Sequence, residues 1–182
     1  MKKLIVAMLL ACVATLAFAQ MNMGGEGEMS AMEGMHMMPV TDEYSFIAGM
    51  IPHHQEAVDT SLVMLSNSHR PEMQAFAWEI VKVQMAEIVM MHGWLDSWYA
   101  DRGEEVMYMP MMREQAGLEA DELDRAFLED MIVHHEMAVV MAEQLLENDY
   151  AENPSVAALA HAIIETQSEE IAMMRTWLED WF

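Results

Sequence analysis

The stretch FIAGMIPHHQEAV at residues 46–58 returns as FLEDMIVHHEMAV at residues 127–139, and this repetition decides the fold. The residues that follow it also recur, since residues 71–98 have counterparts at 154–181. In each copy apolar residues stand three or four positions apart, which is the spacing of one face of an α-helix. The chain is therefore a duplicated helical hairpin, and two such hairpins are expected to pair as an all-α four-helix bundle.

The ends of the four helices are marked by residues that start or cap helices. Thr and Asp side chains cap N-termini, and Pro is favoured in the first turn. A Pro inside a helix removes one backbone hydrogen bond, so Pro52 is expected to bend the first helix. The predicted helices run from Thr41 or Asp42, as N-cap, to about Ser66, from Pro71 to about Tyr99, from about Glu119 to Glu147, and from Pro154 to the C-terminus. The predicted bundle takes residues 41–182, with repeat 1 at about 42–99, repeat 2 at about 119–182 and a long connection at 101–117.

The beginning of the chain has the pattern of a secretory signal peptide at residues 1–19. Lys2 and Lys3 precede an apolar run that is too short to span a bilayer. The sequence AFA at residues 17–19 then fits the small-x-small pattern of a cleavage site. We therefore expect a mature protein that begins at Gln20 and is periplasmic or secreted. A retained signal anchor is the alternative.

Composition limits the classes of function. The single cysteine, Cys12, lies in the predicted signal peptide, so the mature chain has no disulfide and no thiolate ligand. A net charge of −23 repels nucleic acid and anionic lipid, so we expect neither nucleic-acid binding nor membrane insertion after signal cleavage. The chain contains 24 methionines, a residue that fills cores and also ligates Cu(I). Position, rather than composition, has to separate these two uses.

Residues 20–40 are predicted to form a flexible linker in which Met is mixed with Gly and Glu. The segment has no period that would produce an amphipathic helix. Two interpretations stay open, an arm that collects soft metal ions and a low-complexity tail without function. The arm is favoured because Met clusters are soft ligands. Its candidate donors are Met21, Met23, Met29, Met32, Met35, His36, Met37 and Met38.

Each copy of the repeated stretch carries a Met followed by two adjacent histidines. On a helix, residues at i, i+3 and i+4 share one face. A thioether and two imidazoles on one face suit a soft or borderline metal, copper above all, as Cu(I) or Cu(II). Ligation would also remove the cost of burying imidazoles without hydrogen-bond partners. The two candidate sets are Met50, His53 and His54 in the first hairpin, and Met131, His134 and His135 in the second.

Neighbouring residues are about 100° apart on a helix, so one His of each pair is expected to face inward and the other toward a groove. Carboxylate and amide side chains on the second helix of each hairpin would either orient the imidazole N–H groups or form a polar layer. Those side chains are Gln84, Glu87, Gln167 and Glu170. After Met50 and Met131, the next candidate thioether ligands are Met91, Met137, Met141 and Met174. The pairs Phe46/Phe127, Trp94/Trp177 and Trp98/Trp181 are expected to be core or bundle-end aromatics.

The motif M-x-x-H-H-x-x-A, followed by a helix of the type Q-x-x-E-I-x-x-M-x-x-W-L, resembles the CopM-like, ferritin-like four-helix family of unknown function. That family includes a periplasmic copper-binding protein, and the resemblance covers about residues 42–182. It implies copper handling by Met and His, with copper resistance as the role. The two halves differ at Trp78, where the second has His161, so they need not bind alike. The motif residues are Met50, His53, His54, Ala57, Gln84, Glu87, Ile88, Met91, Trp94 and Leu95, with Met131, His134, His135, Ala138, Gln167, Glu170, Ile171, Met174, Trp177 and Leu178.

The sequence therefore predicts an extracytoplasmic protein that sequesters or carries copper, with a copper-delivery or efflux protein as its expected partner. An enzyme is not expected. A di-iron carboxylate site needs Glu-x-x-His motifs, which the predicted second and fourth helices lack, and H-E-x-x-H and C-x-x-C-H are absent as well. Two alternatives stay open: a bundle that holds haem non-covalently, and a structural or partner-binding bundle whose methionines only pack.

Overall fold

The computed structural model describes residues 39–103 and 106–182, and these residues form four long helices and no strand. The helices are α1 (Glu43–Asn67), α2 (Pro71–Trp98), α3 (Ala120–Glu147) and α4 (Pro154–Trp181). Their ends lie within one residue of the predicted ones, and the predicted all-α bundle is confirmed. The signal peptide expected at 1–19 and nearly all of the expected Met-rich linker lie outside the described residues.

The helices begin where the sequence signals stand. The Asp42 side chain accepts a hydrogen bond from the Ser45 N–H at 2.7 Å, and the Ser45 hydroxyl oxygen accepts one from the Asp42 N–H at 3.0 Å. This reciprocal cap satisfies two N–H groups that the first turn of α1 leaves without helical partners. Pro71 and Pro154 occupy the first position of α2 and α4, where a missing N–H costs nothing. None of the helices in the described residues is long and apolar enough to cross a membrane.

The first helix of each hairpin lies at the centre of the bundle. α1 packs against α2, α3 packs against α4, and the two hairpins meet along α1 and α3. Phe46 and Phe127 are fully buried, as predicted. Within each hairpin two Trp rings stack, Trp94 on Trp98 with centroids 5.4 Å apart and Trp177 on Trp181 with centroids 4.9 Å apart. Because α1 and α3 are each covered on two sides, some of their polar residues, such as Glu43 and Asp124, are buried.

Two buried carboxylates join the hairpins, and the duplication relates them. Glu43, which is 1% exposed, accepts hydrogen bonds from the backbone N–H and the side-chain amide of Asn153, both at 2.6 Å. It also accepts one from the Tyr99 hydroxyl at 2.7 Å. Asp124, its counterpart in the second repeat, pairs with Arg70 at 3.2 Å. Arg70 and Asn153 are themselves counterparts, so each hairpin's first helix holds the residue that precedes the second helix of the other hairpin.

Candidate metal centre

All four predicted histidines are buried, each with an exposed fraction of 1% or less. His53 and His134 face each other between the hairpins, with ring centroids 3.6 Å apart and ring planes at 32°. His54 and His135 instead turn toward the second helix of their own hairpin. His53 and His134 therefore face inward as expected, whereas the groove that His54 and His135 face is closed by the second helix of their own hairpin. Both directions around a central helix are covered, so both histidines are inside.

A carboxylate holds the outer imidazole of each hairpin. His54 Nε2 lies 2.8 Å from Glu87 Oε2, and His135 Nε2 lies 2.8 Å from Glu170 Oε2. An ionised carboxylate only accepts hydrogen bonds, so Nε2 carries a proton, and in the neutral imidazole the lone pair is on Nδ1. This is the usual arrangement of a metal-ligating histidine, whose other nitrogen donates to a carboxylate. Of the two roles left open for Glu87 and Glu170, the structure shows the first, a hydrogen bond from an imidazole N–H.

The central imidazole pair has a different environment. His134 Nε2 donates to the His53 backbone carbonyl at 3.1 Å and lies 3.5 Å from Glu56 Oε2, so the lone pair of His134 is also on Nδ1. Neither ring nitrogen of His53 has a hydrogen-bond partner. Burial lowers the pKa of both His53 and His134 well below the ordinary value, and the neighbouring imidazoles lower it further. Both rings are therefore neutral at physiological pH.

The donor set fits a soft or borderline metal. The Nδ1 atoms of all four histidines are buried without a hydrogen-bond partner. Orphaned polar atoms of this kind are rare in protein interiors, and a neutral imidazole lone pair is a common ligand of copper. Within residues 39–103 and 106–182, no three His, Cys, Asp or Glu side chains converge as a metal site. Thioether donors are the other candidate ligands.

The candidate thioethers are all buried, with exposed fractions of 4% or less: Met50, Met91, Met131, Met137, Met141 and Met174. Met131 and Met174 also belong to the apolar cluster around Phe127, so packing is at least one of their roles. Met50 lies one turn before the histidines of its hairpin, and Met91 lies one turn after Glu87, the residue that holds His54. Helix register thus places each hairpin's thioethers on the same helix faces as its imidazole and carboxylate.

The sequence interpretation missed two residues beside the central pair, Glu56 and Tyr108. Glu56 accepts hydrogen bonds from the Tyr108 hydroxyl and from the N–H groups of Met111 and Met112, the last two at 2.9 and 3.0 Å. Burial and the bond to Glu56 raise the pKa of Tyr108, so the phenol keeps its proton. One signal was present in the sequence: Glu56 follows His53 by three residues and so shares its helix face.

Comparison with known proteins finds one matching family and several similar structures. Residues 43–178 match the model of the DUF305 family, a domain of unknown function. The chain is similar to CopM in the Cu(I)-bound form, at 34% identity over 79% of this chain and 99% of CopM, with a TM-score of 0.71. It is similar to CopM in the Cu(II)-bound form, at 34% identity over 78% and 98% of the chains, with a TM-score of 0.67. A DUF305 protein from Streptomyces coelicolor, whose name suggests secretion, is 26% identical over 76% and 93% of the chains, with a TM-score of 0.67. None of the curated proteins compared with the chain matches it.

Proposed function

This chain belongs to the DUF305 family, and from that premise we propose that it is a non-catalytic protein that binds copper outside the cytoplasm. Its similarity to CopM, which has been solved with Cu(I) and with Cu(II), supports metal binding by the same bundle. The secretory pattern at residues 1–19 and the name of the Streptomyces relative support an extracytoplasmic location. The bound ion is the protein's cargo.

One observation carries the proposal: each hairpin holds a buried imidazole by its Nε2–H and leaves its Nδ1 without a partner. The same bond, at 2.8 Å in both cases, joins His54 to Glu87 and His135 to Glu170. A bundle that used these histidines only for packing would leave two buried acceptors unsatisfied at a cost of about 1–3 kcal/mol each. Metal ligation at Nδ1 removes that cost.

We assign the ligands by hairpin. In the first hairpin His54 would act with Met50 and Met91, and in the second His135 would act with Met131 and Met174. Thioethers and neutral imidazoles favour Cu(I), and imidazoles also accept Cu(II). His53 and His134 lie where the hairpins meet, and buried Met137 follows His134 by three residues, so copper bound by the two histidines would contact both halves of the protein.

The expected physiological effect is a lower concentration of free copper outside the cytoplasm, and so copper resistance or homeostasis. Neutral ligands allow Cu(I) to bind without releasing protons, which suits a protein that takes up and hands on its cargo. The net charge of −23 raises the local concentration of cations and directs the protein toward a cationic surface on a delivery or efflux partner.

A titration with Cu(I) under reducing conditions, read by a competing chromophoric chelator, tests the proposal. The mature chain is expected to bind copper tightly and stoichiometrically, and a chain that lacks residues 20–38 is expected to retain the sites of the bundle. His54→Gln/His135→Gln should lose the hairpin sites, whereas His69→Gln, a change at an exposed histidine, should lose none. Unchanged affinity in the double variant would contradict the assignment, and binding that vanishes with residues 20–38 would make the bundle a mere scaffold.

A further inference from the structure

The connection between the hairpins carries a segment, residues 107–115, that we call the strap. It lies against α1 through Glu56, which accepts hydrogen bonds from the Tyr108 hydroxyl and from the N–H groups of Met111 and Met112. The Tyr108 ring meets the His53 ring edge to face, with centroids 6.2 Å apart and planes at 80°. One side chain of the strap thus covers one member of the central imidazole pair.

The same carboxylate touches the strap and the imidazole pair. Glu56 Oε2 lies 3.5 Å from His134 Nε2 while it accepts the bond from the Tyr108 hydroxyl. Its side chain is 11% exposed, so these contacts are largely shielded from water. A hydrogen bond to a charged acceptor in such a place is stronger than one at the surface. The position of the strap is therefore coupled to the surroundings of His53 and His134.

The strap is held at its other end by Arg113 and by Met112, which is 9% exposed and belongs to the apolar cluster around Phe127, whereas its first residues are not packed into the core. The guanidinium and the N–H of Arg113 bind both oxygens of Asp130 on α3, at 2.6–2.9 Å. By contrast, Met107 and Met109 are 82% and 50% exposed. Gln115 is only 6% exposed, yet neither atom of its amide has a hydrogen-bond partner. Because a buried amide without partners costs free energy, the closed strap is less stable than its hydrogen bonds alone suggest.

The strap exists only once in a duplicated protein. The counterpart of Glu56 in the second repeat is Met137, which cannot accept strong hydrogen bonds from backbone N–H groups. The turns within the two hairpins are short, so nothing comparable to residues 107–115 lies inside either repeat. The strap is therefore an addition to the duplicated framework, and it lies where His53 of one hairpin meets His134 of the other.

We infer that Glu56 and Tyr108 form a latch that holds the strap over the His53–His134 pair, and that copper enters and leaves this pair when the latch opens. The inference takes the bound copper from the proposed function, and it takes the geometry from the contacts of Glu56 with the strap and with His134. The latch must open for both uptake and release, so weakening it raises both rates. The equilibrium dissociation constant stays nearly the same, because the strap closes over the empty and the loaded pair alike.

Tyr108→Phe is the sharpest test, since it deletes the hydroxyl and keeps the ring against His53. Tyr99→Phe is the matched control, because it deletes a Tyr–Glu hydrogen bond of the same kind, the one to Glu43, near the start of α1. Copper-loaded protein is mixed with excess chromophoric Cu(I) chelator in a stopped-flow instrument. Tyr108→Phe is expected to release the copper held by the His53–His134 pair about tenfold faster than wild type, as follows from the loss of one bond to a charged acceptor. Its dissociation constant should stay within about twofold of wild type, and Tyr99→Phe should match wild type in both.

A second readout needs no copper and so separates failure of the latch from failure of the proposed function. Diethyl pyrocarbonate labels accessible imidazoles, and mass spectrometry of the metal-free protein gives the labelling rate of each histidine relative to exposed His69. Tyr108→Phe and Glu56→Gln are expected to speed labelling of His53 and His134 about tenfold, again from one weakened bond. Labelling of His53 and His134 as slow as in wild type, in both variants, would overturn the latch even if copper binds. If both variants label faster but the wild-type protein binds no copper, the latch is supported and the proposed cargo is overturned.

Discussion

Replacing Glu87 by Gln changes the acceptor of the His54 hydrogen bond from a carboxylate to a neutral amide oxygen and keeps the side chain's size. In the structure this bond is 2.8 Å long, and the Glu87 side chain is 18% exposed. The carboxylate fixes the tautomer of His54 and makes its Nδ1 more basic. We therefore expect Glu87→Gln to weaken copper binding in the first hairpin without removing any ligand.

The magnitude follows from the difference between the two acceptors. Hydrogen bonds to charged groups contribute about 1.5–3 kcal/mol and neutral ones about 0.5–1.5 kcal/mol, so the change costs about 1–1.5 kcal/mol. The metal-free protein loses the same bond, so the affinity falls only through the weaker Nδ1 donor, by about tenfold, which is the low end for replacing the partner of a metal-ligating histidine. The Glu170 side chain is 28% exposed, so Glu170→Gln should cost somewhat less at His135, because water screens that bond more.

The assay is competition for Cu(I) with a chelator of known affinity, applied to each variant and to the double variant. If the hairpins bind independently, the losses in Glu87→Gln and Glu170→Gln add to within about 0.5 kcal/mol. Glu79→Gln is the control, because it makes the same change of charge on α2 at a side chain that is 58% exposed and pairs with Lys82. A Glu87→Gln protein that binds copper no more weakly than Glu79→Gln would refute the reasoning.

Three further predictions concern the methionines, the joint between hairpins and pH. Met50→Leu and Met131→Leu keep volume and should cost less than about 1.5 kcal/mol in urea unfolding of the metal-free protein, yet lower the Cu(I) affinity; unchanged affinity would assign both to packing. Glu43→Ala removes an acceptor of three hydrogen bonds, so the free energy of unfolding of this variant should be lower than that of wild type by about 3–5 kcal/mol. A loss below about 1 kcal/mol would contradict this. The pKa values of His53 and His134 are lowered in the folded protein, so below about pH 6.5 only the unfolded chain takes up protons at these two residues. The free energy of unfolding of the metal-free protein should therefore decrease as the pH is lowered, and more steeply than in His53→Gln/His134→Gln. Equal slopes in the two proteins would disprove this.

The helices were predictable because their signals are local. Asp42, Pro71 and Pro154 start helices through bonds and angles within one turn, and the duplication shows the apolar period twice. The bond from His54 to Glu87 was predictable for a related reason. Both residues lie on the apolar stripes of adjoining helices, so pairing the hairpin brings them together.

The directions of the histidine pairs were not predictable in the same way. Helix periodicity separates neighbouring side chains by about 100°, but only the packing of whole helices decides what each direction meets. Since α1 and α3 are central, His53 and His134 meet each other, and the side that His54 and His135 face is covered by the second helix of each hairpin. The bond from Tyr108 to Glu56 was missed because it joins residues 52 positions apart through an irregular connection that has no period to read.

Duplication explains why the candidate site is nearly symmetric, and one position explains why it is not fully so. The two hairpins share the imidazole–carboxylate bond at 2.8 Å, which sets up two equivalent lone pairs. At the next turn the repeats diverge, with Glu56 in one and Met137 in the other. Glu56 binds the strap, so one side of the central pair is covered, while a thioether stands at the matching position on the other side. The two hairpins are therefore not equivalent at this position, because one presents a carboxylate that binds the strap and the other a buried thioether, which is a candidate ligand in the proposed exchange of copper.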